Sequence, residues 1–134
     1  MPDSHLNICI IDDDTIYQFT AKKTIEAINF DGNILSFFNG EEAINFLTKN
    51  GLEARVLPDI IFLDINMPVM DGWQFLDAFN KLKTTICKPI RIYMVSSSVD
   101  VDDIRKSKEQ YGVNDYIVKP IHRDRFKEIL LLSA

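Results

Sequence analysis

Four consecutive large apolar residues, Ile60-Ile61-Phe62-Leu63, stand between two aspartates, Asp59 and Asp64. No polar residue interrupts the run, so it has no side to offer to water. A strand of this kind is buried on both faces, which is the habit of parallel sheets covered by helices above and below. Asp64 leads directly into Ile65-Asn66-Met67-Pro68-Val69-Met70-Asp71-Gly72, a loop punctuated by Pro and Gly. Open α/β sheets bind their ligands at the carboxyl ends of the strands. Asp64 is therefore either a solvated strand cap or a reactive group.

The rest of the chain keeps the same alternation of strand and helix. Asn7–Ile11 is apolar and β-branched and reads as the first strand, with Asp14 and Thr15 as caps for the helix after it. Tyr17, Ala21, Ile25 and Ile28 recur at helical spacing and give that helix one apolar face. Asp31-Gly32-Asn33 turns into a second strand at Ile34–Phe38, which Asn39-Gly40 closes. Ala43, Ile44 and Leu47 suit a short helix ended by Asn50-Gly51, and Asp59–Asp64 is the third strand. Gly72 opens a helix with Phe75, Leu76, Phe79 and Leu82 inward, and Pro89 precedes a fourth strand at Ile90–Val95. Asp100–Tyr111 is a polar helix anchored by Val101 and Ile104. Gly112-Val113-Asn114 turns into the fifth strand, Asp115–Val118, and Arg123–Leu132 is the last helix, with Phe126, Ile129 and Leu130 inward. Strands that alternate with helices predict right-handed crossovers. The expected fold is a doubly wound, flavodoxin-like α/β domain with a five-stranded parallel sheet in the order 2-1-3-4-5.

At 134 residues the chain has the size of one domain, and no linker, repeat or low-complexity segment divides it. We read residues 1–134 as that domain, with a core over about 6–132 and no output domain. No apolar stretch reaches the ~18–20 residues that span a bilayer. Met1-Pro2-Asp3-Ser4-His5 has no basic leader region, so the expected location is the cytoplasm. A net charge of −5 with scattered Lys and Arg argues against a nucleic-acid surface. Cys9 and Cys87 have neither CxxC nor metal-ligand spacing and read as free thiols. His5 and His122 read as surface residues, and Trp73 as packing at a helix start.

The predicted topology gathers residues far apart in sequence at one edge of the sheet. Asp12-Asp13-Asp14 ends the first strand, Asp64 the third, Ser96-Ser97-Ser98 the fourth and Lys119-Pro120 the fifth. Carboxylates crowded into one crevice repel each other and call for a cation. All-oxygen ligands suit a hard ion such as Mg²⁺. A carboxylate can attack phosphorus, and a lysine and a hydroxyl can then hold the phosphoryl oxygens. That set is sufficient for phosphoryl transfer, which needs positioning and charge neutralisation more than covalent chemistry.

In this the chain resembles the response-regulator receiver domains of two-component signalling, and in length their stand-alone chemotaxis type. The residues that carry the resemblance are the acidic pair after the first strand, Leu63-Asp64-Ile65-Asn66-Met67-Pro68-Val69-Met70-Asp71-Gly72, Ser96 after Tyr93-Met94-Val95, and Tyr116-Ile117-Val118-Lys119-Pro120. The resemblance implies that Asp64 is the phospho-acceptor. It implies a site for Mg²⁺ (or Mn²⁺) made by Asp13 and Asp64, by Asp12 directly or through water, and by the Asn66 carbonyl. Ser96 would sense the phosphoryl group and Lys119 would pair with it. Tyr116 would be the aromatic switch that turns inward when Ser96 moves. The Lys119–Pro120 bond would be cis, Gly72 would permit the turn into the helix, and Asp71 would shape the loop.

The implied function is a phospho-switch and not a turnover enzyme. A histidine kinase or a histidine phosphotransfer protein would be the donor. A target would bind in trans on the face of the fourth helix, fifth strand and fifth helix. The protein would be a monomer or weak dimer. An alternative within the family is a phosphate-relay intermediate or a phosphate sink. Outside it stand three others: an aspartate-nucleophile phosphatase, a nucleotide- or flavin-binding flavodoxin-like protein, and a scaffold that has lost phosphorylation. Asn66 occupies the place where such phosphatases carry an acid, and an amide does no acid–base work. No GxxxxGK[ST] or GxGxxG follows the first strand.

Overall fold

Successive side chains of a strand point to opposite faces, which sorts them into two layers, one on either side of a single sheet. In the computed structural model, which describes residues 5–133, the sheet is built from β1 (Leu6–Ile11), β2 (Gly32–Phe37), β3 (Ile60–Leu63), β4 (Arg91–Ser96) and β5 (Asp115–Val118). All neighbours are parallel and the order is β2-β1-β3-β4-β5, as the sequence predicts. The N-terminal residues read above as lacking a leader lie, apart from His5, outside the described residues.

The helices are α1 (Thr15–Glu26), α2 (Gly40–Lys49), α3 (Gly72–Leu82), α4 (Val101–Arg105) and α5 (Arg123–Ser133). Ile8, Ile10, Ile60, Phe62, Tyr93 and Val95 meet Ala21 and Ile25 of α1 and Phe126, Ile129 and Leu130 of α5. Cys9, Ile11, Ile61, Leu63 and Met94 point the other way, against Ala43 and Leu47 of α2 and Phe75, Leu76 and Phe79 of α3. Both faces of β1 and β3 are buried, which explains the unbroken apolar runs. β2 lies at an edge and is only partly covered.

Local chemistry fixes where the helices start. The Asp14 carboxylate accepts the Ile16 and Tyr17 N–H groups at the head of α1. Asp71 and Gln74 form a reciprocal capping box on α3, so the loop-shaping role expected of Asp71 is that of an N-cap.

Three expectations change. β2 runs from Gly32 to Phe37, leaving Phe38 outside and partly exposed. α1 stops at Glu26, so Ile28 packs from beyond the helix and not on its face. Val101 is 63% exposed and anchors nothing, whereas Ser107 is fully buried. Val101 is the first residue of α4, beside its Asp100 N-cap, and after Arg105 the segment widens into a π-helical turn, Lys106–Gln110. The extra residue per turn rotates the inward face away from a 3.6-residue period. Ile104 does pack on the core, as expected. The Trp73 ring stacks on Tyr111 at 5.8 Å, the Lys106 ammonium lies 4.4 Å from the Trp73 ring, and the Tyr111 hydroxyl donates to Asp77 at 2.7 Å. These contacts clamp the wide turn to α3.

Candidate functional site

Asp12, Asp64 and Lys119 are each placed by a backbone hydrogen bond at the end of a strand. The Asp12 N–H donates to the Phe37 carbonyl at 3.0 Å, and the Asp64 N–H to the Ile11 carbonyl at 2.9 Å. The Lys119 N–H donates to the Ser96 carbonyl at 2.8 Å. The ladders thus end at one level, and the residues just past them converge. Carboxylate oxygens of Asp12, Asp13 and Asp64 come within 4.8 Å of one another. Lys119 Nζ lies 2.7 Å from Asp12 Oδ2 and 3.6 Å from Asp64 Oδ1.

Gly72 is dictated by this arrangement. A Cβ at this position would stand 2.4 Å from the Asp64 carbonyl oxygen, while the Gly72 N–H donates to the Ile65 carbonyl at 2.8 Å. The start of α3 therefore lies against the backbone of Asp64, a closeness only glycine allows.

The electrostatics follow from burial. Asp12 and Asp64 are both buried, and Asp13 is exposed. Desolvation, with the charge of Asp12 behind it, raises the Asp64 pKa to about 6, against the opposing pull of Lys119 and the Ile65 N–H, with a smaller upward push from Asp13. Desolvation also works to lower the Lys119 pKa, but its hydrogen bond to Asp12 and the charges of Asp64 and Asp12 prevail and hold it above the ordinary lysine value. Three carboxyl groups face a single lysine here, so ionising all of them leaves negative charge uncompensated. The donor set is all oxygen, and exposed Asp13 leaves the site an open side. Those features fit a hard divalent cation.

The other predicted residues lie as follows. Ser96 is buried, and its Oγ accepts the Ser98 N–H at 3.1 Å, so its hydroxyl proton is free of that bond. Ser98 in turn donates to Asp103 Oδ2 at 2.9 Å, and its carbonyl accepts the Tyr116 hydroxyl at 2.9 Å. The Tyr116 ring is already inward and buried in this structure, where the sequence reading expects that position only after Ser96 moves. Asn66 is exposed, in the loop after Asp64. The Lys119–Pro120 bond is cis.

Two residues near the crevice escaped the sequence reading. Gln18 Nε2 donates to the carbonyls of Ile10, Asp12 and Phe37, tying α1 to the ends of β1 and β2. The only trace of this in the sequence is an amide beside the apolar face of α1. Tyr17, read as a core position, lies with its ring 4.4 Å from Lys119 Nζ. Its signal was its place one turn after the acidic triplet.

A profile of the response regulator receiver domain matches residues 8–131. The chain is 38% identical over 95 residues to the chemotaxis protein CheY of Listeria monocytogenes, covering 64% of this chain and 72% of that protein. It is 30% identical over 113 residues to the transcriptional regulatory protein PrrA of Mycobacterium bovis, covering 84% of this chain and 43% of PrrA. It thus spans less than half the length of PrrA. Among solved structures, a two-component response regulator from Cytophaga hutchinsonii superposes with a TM-score of 0.82 at 29% identity, covering 94% of this chain and 96% of that one.

Proposed function

Since the chain belongs to the family of response regulator receiver domains, we propose that Asp64 accepts a phosphoryl group from a phosphohistidine and that the domain then changes conformation to regulate a partner. The observation that carries this is the convergence of Asp12, Asp13 and Asp64 within 4.8 Å, with Lys119 against two of them. In the transfer a carboxylate oxygen of Asp64 bonds to phosphorus as the P–N bond breaks. The donor imidazole keeps the electron pair and takes up a proton. The Lys119 ammonium pairs with the phosphoryl oxygens, and Asp12 holds that ammonium in place.

Asp12, Asp13, Asp64 and the Asn66 carbonyl would hold Mg²⁺ (or Mn²⁺), which supplies neutralisation of the carboxylate and phosphoryl charge. Ser96 reads the event. Its hydroxyl proton turns to a phosphoryl oxygen, and its movement pulls on Ser98, which is joined to α4 through Asp103 and to β5 through Tyr116. The face of α4, β5 and α5 would then meet the target, and Val99, Val101 and Val118 are exposed around it. The donor is a histidine kinase or a histidine phosphotransfer protein. The domain works in trans, in the cytoplasm, as a monomer or weak dimer, and it is a switch that phosphorylates and dephosphorylates itself and turns over no substrate.

Radiolabel transfer from a phosphorylated histidine kinase tests this. Wild-type protein should take the label with a divalent cation present, and Asp64→Asn should not. Equal labelling of the two would remove Asp64 from the role. A relay or sink function would show as onward passage of the label to a second histidine, or as its rapid loss from the kinase.

A further inference from the structure

Lys119 lies against Asp64 before transfer and would pair with the phosphoryl oxygens after it, and a lysine is a flexible four-carbon arm. Its ammonium touches three things: Asp12 Oδ2 at 2.7 Å, Asp64 Oδ1 at 3.6 Å and the face of the Tyr17 ring at 4.4 Å. The two carboxylates are unequal partners. Asp12 takes the shorter contact and, alone, would draw the ammonium away from Asp64. The aromatic face attracts the charge without accepting an N–H bond. It limits where the ammonium can go while leaving N–H donors for oxygens arriving at Asp64.

The surroundings of Tyr17 suit that task. Its hydroxyl is buried and has no hydrogen-bond partner among the described residues. The side chain is therefore not held through its phenol. Burial, then the charges of Asp12 and Asp64, push the phenol far above the ordinary tyrosine range, so the ring stays neutral. The Tyr17 N–H donates to Asp14 Oδ1 at 3.0 Å in the first turn of α1, which ties the ring to the loop that carries Asp12 and Asp13.

We infer that Tyr17 is a positioning residue for phosphoryl acceptance, its ring face holding the Lys119 ammonium between Asp12 and Asp64. This rests on the reading of Asp64 as the phosphoryl acceptor.

The test compares Tyr17→Phe, which keeps the aromatic face, with Tyr17→Leu, which keeps apolar bulk without it. Each is titrated with beryllofluoride in the presence of Mg²⁺, timed for label uptake from a kinase, and examined by NMR for the ring-current shift on the Lys119 ε-methylene. Tyr17→Phe should stay within about twofold of wild type and keep the shift. Tyr17→Leu should bind beryllofluoride about fivefold to tenfold more weakly, take label more slowly by a similar factor, and lose the shift. Tyr17→Met replaces Tyr17→Leu if the latter does not fold. A Leu variant equal to wild type overturns the inference. So does a Phe variant as impaired as Leu, which would transfer the role to the hydroxyl. Wild-type protein that neither binds beryllofluoride nor takes label overturns the phosphoryl reading instead, and the Lys119 shift then still decides whether Tyr17 holds the ammonium.

Discussion

At the scale of single residues, Asp64 is costly to the fold in its charged form. Its pKa of about 6 lies above that of an unfolded aspartate, because burial and Asp12 oppose ionisation. Between the two values the folded chain binds more protons than the unfolded one, so stability falls as pH rises through that window. Without divalent cations, Asp64→Asn should therefore stabilise the protein, and by more at pH 7.5 than at pH 5. Urea midpoints at the two pH values check this, and equal gains would contradict it. Only the ionised carboxylate attacks phosphorus, so label uptake from a small phosphodonor at low divalent cation should rise with pH and level off above about 6. Val69 carries a different strain. It is exposed, its φ is 67°, and the Met70 N–H bonds back to the Pro68 carbonyl at 2.7 Å. This is a γ-turn of the rare positive-φ kind at a β-branched residue. Val69→Gly, which has no Cβ to oppose a positive φ, relaxes it and should stabilise the fold by about 1 kcal/mol in chemical denaturation.

At the scale of elements, α4 is short and depends on its neighbours. Only Val101–Arg105 is α-helical, and the wide turn after it is held to α3 by Trp73, Lys106, Tyr111 and Asp77. An aromatic pair and a cation–π contact contribute roughly 0.5–1.5 kcal/mol each. Trp73→Ala should leave the sheet intact and loosen this segment. Amide hydrogen exchange should quicken over residues 101–111 while the amides of β1 and β3 keep their protection. Uniform acceleration across the protein would mean that Trp73 supports the whole core. The same segment is where periodicity misled the sequence reading. Val101 and Ile104 are three apart and look like one face, yet Val101 is in water. Beyond Arg105 a π-helical turn changes the period itself and so leaves no mark in a hydrophobicity pattern. Ser107 is buried there with its hydroxyl on the Ile104 carbonyl at 2.7 Å, a bond that lets a polar residue take a core place.

At the scale of the molecule, the acidic crevice exists only when β1 and β3 lie side by side, since Asp12 and Asp64 are brought together by no local contact. A divalent cation binding there stabilises the folded state alone. At a hundredfold excess over its dissociation constant the gain is ~2.7 kcal/mol. Thermal melts should therefore shift upward with Mg²⁺ at pH 7.5, and the shift should shrink sharply in Asp13→Asn. An equal shift in that variant would place the ion elsewhere. The shift should also shrink at pH 5, where Asp64 is protonated and offers less charge.

The architecture was legible because it rests on short-range pattern. Ile60–Leu63 has no polar side, so it had to be a central strand, and strand–helix alternation leaves few topologies. The acids, Ser96 and Lys119 were legible because they stand at strand ends, and parallel strands put all such ends on one edge. Gly72 was legible as a turn, but its reason, the carbonyl of Asp64 at 2.4 Å from any Cβ, was not. Nor were the Gln18 bridge and the Tyr17 ring against Lys119, separated from it by about a hundred residues of chain. The sequence by itself determined which residues enter the sheet and which wait at its edge, because burial and periodicity are local properties of the chain. Only the tertiary structure decided which side chains at that edge touch, and how far Asp64 resists ionisation, because charge and contact depend on distances that exist only once the strands are paired.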